Sequence, residues 1–177
     1  MLEGVLRELA KTEEYELLVV ANAPPSATWE GVNMRFSPWS PETEVQHLQD
    51  MDMGLMPLPD KPFERGKCGF KAISYMACGT PAVVSPVGAN TDIVVHGETG
   101  FHCRTDTDWM QCLRLLCRDE KLRRRLGESA RARVEKHYSI DFLLPRMLQV
   151  FGQVSKLQPR TSCQRTGNSA LSSERSA

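Results

Sequence analysis

Residues 69–85 read GFKAISYMACGTPAVVS, and this stretch decides the fold. Small and apolar side chains at helical spacing predict a helix over residues 69–78, and Gly79, Thr80 and Pro81 predict its end. The apolar run at 82–85 follows at once and is typical of a short buried strand. Because helices that alternate with buried strands build parallel sheets, we expect the flanking sequence to repeat this unit.

The same alternation extends to both sides of this stretch. Towards the N-terminus, a helix is predicted around Leu2 and Leu9, and strands are predicted at 15–21, 32–36 and 52–57. A short helix is predicted with Ser40 as its cap and Pro41 at its first position. Towards the C-terminus we predict a strand at 101–103 and helices over 106–137, with Gly127 as a weak point, and over 141–154. The expected fold class is α/β, with a single Rossmann-like, doubly wound parallel sheet.

The composition indicates one soluble domain. The 177 residues include 41% hydrophobic and 25% charged side chains, which is enough for a single core. We place this domain at residues 1–154. Residues 155–177 are predicted to be a disordered tail, because eight of these 23 residues are Ser or Thr. No apolar run reaches the about 18 residues of a membrane span, and the first twenty residues are too acidic for a signal peptide. We therefore expect a cytoplasmic protein without a membrane span.

Charge is distributed unevenly along the chain. Residues 1–60 carry 11 acidic and 3 basic side chains, and the remainder carries 19 basic and 11 acidic ones, so an anionic partner should prefer the second part. The basic helix near 121–136 has interleaved acidic residues and no aromatic platform, which favours a solvated face over nucleic-acid binding. The six cysteines and four histidines are scattered, which favours free thiols and argues against a bound metal or cofactor.

A basic, glycine-containing loop opens the predicted helix, and its sequence is Gly66-Lys67-Cys68-Gly69-Phe70-Lys71. The first turn of a helix has unpaired N–H groups and the positive end of the helix dipole, and glycines let a phosphate approach the backbone. The loop should also lie at the carboxyl ends of the strands, where open parallel sheets bind ligands. The sequence therefore predicts an anion site, although two glycines that only make a turn beside solvated lysines would give the same pattern.

Three segments together resemble a known family. They read DMGLMPLP at 52–59, GKCGFKAISYMACGTPAVVSPVGAN at 66–90 and IVVHGETGF at 93–101. In this order and spacing they resemble the carboxyl-terminal half of group 1 retaining glycosyltransferases of the GT-B fold, over residues 2–150. The resemblance implies a nucleotide-sugar donor-binding domain that lacks its first strand. The exposed sheet edge and apolar helix face would then promote self-association.

The resemblance also implies roles for individual residues. The donor diphosphate would lie on the loop formed by Gly66, Lys67, Cys68, Gly69, Phe70 and Lys71, and residues 85–90 would form a wall on the donor side. The nucleoside would contact Trp39, Met56, Pro57 and Ser74, although Trp39 and Ser74 could equally be packing residues. The family's two characteristic glutamates fall at Gly66 and Ser74, so neither carboxylate is present. No catalytic residue and no metal ligand is assigned.

The expected function is transfer of a sugar from a nucleoside diphosphate sugar to a hydroxyl acceptor. The resemblance implies a hexosyltransferase whose acceptor-binding domain, or a separate chain in its place, completes the cleft. We expect this chain to be inactive without that part, because positioning both reactants accounts for much of the rate. Two alternatives remain: a non-catalytic remnant or partner-binding module of the same fold, and a sugar-nucleotide epimerase, for which no catalytic carboxylates and histidines can be placed.

Overall fold

A computed structural model describes residues 1–155, which form an α/β domain of parallel strands and covering helices. The α/β prediction is confirmed. In chain order the elements of these residues are α1 (Glu3–Leu9), β1 (Leu17–Ala21), β2 (Met34–Pro38), α2 (Glu44–Gln49), β3 (Gly54–Met56), α3 (Pro62–Arg65), α4 (Phe70–Ala77), β4 (Ala82–Val84), α5 (Asn90–Ile93), β5 (Gly100–His102), α6 (Asp106–Arg118), α7 (Glu120–His137) and α8 (Ile140–Ser155). The predicted tail lies outside the described residues apart from Ser155.

The strands form two parallel ladders. In the first, β1 pairs with β2, and Leu17 lies opposite Met34. In the second, β4 lies between β3 and β5, and Val83 lies opposite Leu55 and Phe101. No ladder joins β1 to β3 within residues 1–155. Side chains connect the two ladders instead, because Leu17 and Leu55 pack against the same apolar cluster.

Strand β4 separates two apolar clusters. Val83 points to the cluster that contains α1 and α6, whereas Ala82 and Val84 point to the cluster that contains α4 and α7. All three side chains are completely buried. Since neighbouring residues of a strand face opposite sides, this alternation means that helices cover both faces of the β3–β4–β5 ladder. The doubly wound arrangement follows.

Helix α1 buries the residues predicted to form its apolar face. Leu2, Val5, Leu6 and Leu9 are between 2% and 6% exposed and belong to the cluster that α6 covers. The exposed apolar helix face expected from the sequence is therefore not on α1. Large apolar side chains are exposed along α8 instead. Within residues 1–155, no helix is both long and apolar enough to span a bilayer.

Two helix boundaries differ from the sequence prediction. Helix α2 begins at Glu44 rather than Pro41, because residues 40–43 form a turn that the Glu44 N–H closes on the Ser40 carbonyl at 3.0 Å. The predicted helix over 106–137 is two helices that meet at Asp119. The backbone of Asp119 leaves the helical region at φ −117° and ψ 89°, and its carboxylate accepts from the Leu122 N–H at 2.9 Å. Asp119 therefore ends α6 and caps α7.

Gly127 lies where α7 crosses the turn after α4. A Cβ on Gly127 would lie 1.9 Å from the carbonyl oxygen of Gly79 and 3.7 Å from the Pro81 ring. The absence of a side chain thus lets α7 contact the backbone of this turn. Helix α7 in turn buries Ala130 and Val134 against α4, which fixes the position of the helix that opens at the basic loop.

Candidate functional site

The basic loop lies at the carboxyl edge of the β3–β4–β5 ladder, as predicted. The chain leaves β3 at Met56, forms the short helix α3, passes through the loop at 66–69 and enters α4, which leads back to β4. A hydrogen bond from the Leu58 N–H to Ser85 Oγ, at 3.0 Å, joins the segments that follow β3 and β4. The loop is therefore held at the edge where parallel sheets bind ligands.

The N-terminus of α4 presents unpaired backbone donors. Gly69 is the N-cap and has a left-handed backbone, with φ at +70° and ψ at 21°. No hydrogen bond joins the N–H groups of residues 68–71 to any acceptor in the described part of the chain. The left-handed backbone favours glycine there, and a Cβ would also have to displace the Ile93 Cδ1 methyl group, which lies 2.2 Å from its position. The amides and the helix dipole together favour an anion at this point.

The loop has two lysines without an acidic partner among residues 1–155. Lys67 and Lys71 are exposed and form no ion pair there, although the Lys67 ammonium lies 5.3 Å from the centroid of the exposed Phe63 ring. Arg65 is engaged, since it donates to Asp60 at 2.6 and 3.0 Å and thereby holds the pKa of that carboxyl below its usual range. The positive charge left for a ligand comes from the two lysines.

The loop at residues 85–90, which follows β4, packs under the start of the basic loop. Gly88 has a φ of +56°, and a Cβ there would lie 2.5 Å from the Arg65 carbonyl oxygen, so the two backbones are in close contact. Asn90 follows and is 1% exposed. Its Nδ2 donates to the Ser85 carbonyl at 3.1 Å, but its Oδ1 has no partner and lies 3.1 Å from the Cβ position of Gly69. A buried acceptor without a partner is uncommon in folded proteins and is directed at the start of α4.

The other predicted site residues are distributed as follows. Gly66 ends α3, Cys68 is exposed, and Phe70 is exposed at the first position of α4. Ser74 lies one turn into α4, where its hydroxyl donates to the Phe70 carbonyl at 3.1 Å.

The predicted nucleoside contacts differ in exposure. Trp39 follows β2 and is 44% exposed, and Pro57 is half-buried. Met56 is buried in the cluster beneath α4, which leaves little of its side chain for a ligand. The structure thus places residues 66–71, Ser74 and Pro57 at the carboxyl edge of the β3–β4–β5 ladder. The Met56 side chain faces the core instead.

Two clefts open near the ends of these strands. One of about 330 Å³ lies at the carboxyl ends of β3, β4 and β5, between Leu58, Asp60, Ser85 and Arg104. Asp60, in the wall of this cleft, pairs with Arg65, the residue that precedes the basic loop.

The other cleft, of about 560 Å³, lies between β5 and α6 and is lined by His96, His102, Asp108 and Cys112. His96 Nδ1 accepts from the His102 N–H at 3.1 Å, which gives His96 a structural role. Burial lowers the pKa of His102. Within residues 1–155, no three His, Cys, Asp or Glu side chains are grouped as metal ligands.

Several arginines of α7 are engaged in local contacts. Arg124 pairs with Glu128 at 3.3 Å and Arg131 with Glu135 at 2.9 Å, one helical turn apart in each case. Arg133 donates to the Ile93 carbonyl at 2.8 Å and so ties α7 to α5. These contacts are those of a solvated helix that packs against the domain.

Comparison with known proteins gives a family and a fold. Residues 31–133 match the family described as Glycosyl transferases group 1. N-acetyl-alpha-D-glucosaminyl L-malate synthase of Bacillus anthracis is 31% identical over 94 residues, which are 51% of this chain and 24% of that protein. Sucrose-phosphate synthase from Thermosynechococcus elongatus is similar in structure, with a TM-score of 0.69 and 20% identity over 86% of this chain and 42% of that one.

A further similar structure is Anabaena HepE, solved in complex with UDP and glucose. It has a TM-score of 0.64 and 14% identity, over 85% of this chain and 44% of that one. The chain thus spans about a quarter of the curated relative and less than half of each solved structure. At this identity the structures show the fold, which is that of a GT-B glycosyltransferase domain. Because the family match covers more than half of its residues, the chain belongs to the group 1 glycosyltransferases.

Proposed function

We propose that this chain is the donor-binding half of a retaining group 1 glycosyltransferase and binds a nucleoside diphosphate sugar. One observation carries the proposal: the N–H groups of residues 68–71 lack partners in the described chain, while Lys67 and Lys71 are exposed beside them. An anionic diphosphate complements both the amides and the ammonium groups. The sugar would pass to a hydroxyl acceptor with its anomeric configuration retained.

The loop would act mainly on the leaving group. As the bond from sugar to phosphate breaks, negative charge grows on the departing diphosphate, and donors that already point to it stabilise this charge without reorganising. Gly69 lets the backbone approach the phosphate closely, and the contact of Gly88 with Arg65 supports the loop from below. The lysines add charge, but their flexible stems make them less directional than the amides.

The sugar and ribose would be held differently from the usual family pattern. Gly66 and Ser74 occupy the two glutamate positions, so no carboxylate is available there for hydroxyl groups. Ser74 uses its proton on the Phe70 carbonyl, which leaves its oxygen free to accept a hydrogen bond from a ribose hydroxyl. Pro57 and the half-exposed Trp39 would contact the nucleoside.

UDP and its sugars are the first donors to examine. HepE, which is similar in fold, was solved with UDP and with UDP-glucose. The chain covers less than half of such enzymes, so we propose that the acceptor is bound by a separate domain or chain. Binding of donor without turnover is then the expected behaviour of these 177 residues, because both reactants must be positioned for transfer.

The second candidate is a non-catalytic module of the same fold. The loss of both carboxylates favours it, since a domain that no longer holds the sugar is free to lose donor binding as well. Calorimetric titration separates the two. The donor-binding proposal predicts a saturable heat with UDP or UDP-glucose, and absence of heat with UDP, GDP and ADP would favour the module.

A pair of lysine variants tests the site itself. Lys67→Ala should raise the Kd for UDP about tenfold, which corresponds to about 1.4 kcal/mol for one charge-assisted contact. Lys136→Ala removes the same charge from an exposed position at the end of α7 and should leave the Kd unchanged. Affinity of the parent chain should also fall as salt is raised. Equal Kd values for the two variants would place the diphosphate elsewhere.

A further inference from the structure

The cleft at the carboxyl ends of β3, β4 and β5 has both apolar and polar walls. Its volume of about 330 Å³ is within the range of small-molecule sites. Val87 and Trp109 belong to the apolar part, and Asp60, Arg104 and Asp106 belong to the polar part. The cleft therefore offers donors, acceptors and apolar surface together, whereas the unpaired groups of the basic loop are amide and ammonium donors.

Ser85 contributes a buried hydroxyl group to this cleft. Its side chain is 5% exposed, and its oxygen accepts from the Leu58 N–H at 3.0 Å. Among residues 1–155, no acceptor takes the proton of this hydroxyl. Because a buried donor without an acceptor costs free energy, such groups normally have a partner. The Ser85 hydroxyl is therefore available to donate to an oxygen atom of a ligand in the cleft.

The charged side chains of the cleft balance one another. Asp60 is paired with Arg65, so its charge is already compensated. Arg104 and Asp106 are exposed, and their side chains form no ion pair or hydrogen bond in the part of the chain that the structure describes. One guanidinium group and one carboxylate are thus left for a ligand. A neutral molecule with several hydroxyl groups complements this pair, because each hydroxyl both donates and accepts.

The loop at residues 85–90 passes from this cleft to the basic loop. Ser85 and Val87 line the cleft, and Gly88 is in close contact with the backbone of Arg65. The ion pair between Asp60 and Arg65 is a second connection between the two places. The cleft and the basic loop are therefore adjacent, and one is balanced in charge while the other is cationic. A ligand that joins a neutral polyhydroxylated group to a diphosphate matches both.

We propose that this cleft binds the sugar ring of the nucleotide-sugar donor and that Asp106 is a specificity-determining residue for it. The inference rests on the proposed function, in which the diphosphate binds at the basic loop. Asp106 accepts hydrogen bonds from sugar hydroxyls, while Arg104 and Ser85 donate to sugar oxygens. The Asp106 carboxylate thereby supplies a kind of contact that is absent at Gly66 and Ser74.

Calorimetric titration of the full chain with UDP and with UDP-glucose tests this assignment. Asp106→Asn keeps the shape of the side chain but removes its charge, so the Kd for UDP-glucose should rise about fivefold. The Kd for UDP, which lacks the glucose, should stay the same. Lys67→Ala should instead raise both Kd values, because both ligands carry the diphosphate. This contrast separates contacts to the sugar from contacts to the phosphates.

Asp141→Asn is the matched control. Asp141 is exposed in the first turn of α8, as Asp106 is in the first turn of α6, so its substitution removes the same charge from the same helical position. This variant should bind UDP and UDP-glucose like the parent. Circular dichroism spectra and Tm values of both variants should match those of the parent, which excludes misfolding as the cause of a changed Kd.

The possible failures can be told apart. If the parent binds UDP and Asp106→Asn leaves the Kd for UDP-glucose unchanged, the sugar does not lie in this cleft, although the donor-binding proposal stands. If Asp106→Asn raises both Kd values equally, Asp106 does not discriminate the sugar and the assignment is wrong in the same way. Absence of heat with both UDP and UDP-glucose would overturn the proposed function and the sugar assignment together.

Discussion

Substitution of Gly127 by alanine sets two opposite effects against each other. Within a helix, alanine is more favourable than glycine by about 1 kcal/mol, so helix propensity alone predicts a more stable protein. The structure predicts the reverse, because the new Cβ would lie 1.9 Å from the Gly79 carbonyl oxygen, where ordinary contacts begin at 3.4 Å. The helix or the turn must move by about 1.5 Å, and both are backbone. Overpacking of this kind costs about 3 kcal/mol at the upper end of its usual range.

The net expectation is that Gly127→Ala lowers the free energy of unfolding by about 2 kcal/mol, which for a domain of this size is a Tm decrease of about 4–8 °C. Urea unfolding should show a lower midpoint at an unchanged slope. Gly4→Ala is the matched control, because it lies in α1 with no atom within 4 Å of its Cβ position and should gain up to about 1 kcal/mol. If Gly127→Ala is as stable as the parent, α7 does not contact the turn as described.

Three further substitutions probe local features. Thr105→Ala removes the hydroxyl that caps α6 by accepting a hydrogen bond from the Asp108 N–H at 3.1 Å. Urea titration should show a free energy of unfolding that is lower by about 1 kcal/mol. Thr107→Ala is the control and should have little effect in the same titration. Burial lowers the pKa of His102, and the His96 ring and Arg104 add to this effect. Because the unfolded chain then binds a proton more readily than the folded one, stability should fall as pH decreases below about 6.5. His102→Gln should abolish this loss between pH 7 and 5.5, and parallel stability profiles of variant and parent would contradict this expectation. A hydrogen bond from Arg118 lowers the pKa of Glu13. The contribution of this carboxylate to stability is therefore present above pH 4.5 and lost at lower pH. The Tm of Glu13→Gln should accordingly vary less with pH in this acidic range than the Tm of the parent.

Local sequence signals predicted the elements around the basic loop well. Helix α4 and strand β4 coincide closely with the predicted 69–78 and 82–85, because helical spacing, a glycine stop and an apolar run all occur within seventeen residues. The start of α2 was wrong by three residues. Ser40 and Pro41 are typical of a helix start, but the same residues also form a turn, and only tertiary packing selects between the two.

The site was only partly accessible to sequence reasoning. The glycine spacing identified the loop, since the left-handed Gly69 and the close contact at Gly88 both depend on residue type. Asn90 was missed as an individual residue. Its unpaired oxygen results from the packing of one loop beneath another, and the only signal was its place in a short loop after a buried strand.

Exposure is the property that the sequence predicted least well. Gly127 was interpreted as a weak point of a helix, whereas the structure shows a close backbone contact that needs glycine. The apolar positions of α8 have the same periodicity as those of α1. Helix α1 is buried and α8 is exposed because only α1 has a facing helix within the described residues, and a facing helix leaves no mark on the periodicity.

The division of the strands into two ladders makes local unfolding uneven. No backbone hydrogen bonds pass between β1 and β3 in residues 1–155, and every side chain of β1 is only half-buried, whereas those of β4 are fully enclosed. Residues 17–38 can therefore open without breaking the ladder that carries the basic loop. Amide protons of β1 should exchange with deuterium well before those of β4, and proteases should cut first within the first ladder. The basic loop thus connects two strands, β3 and β4, of the ladder that we expect to open last.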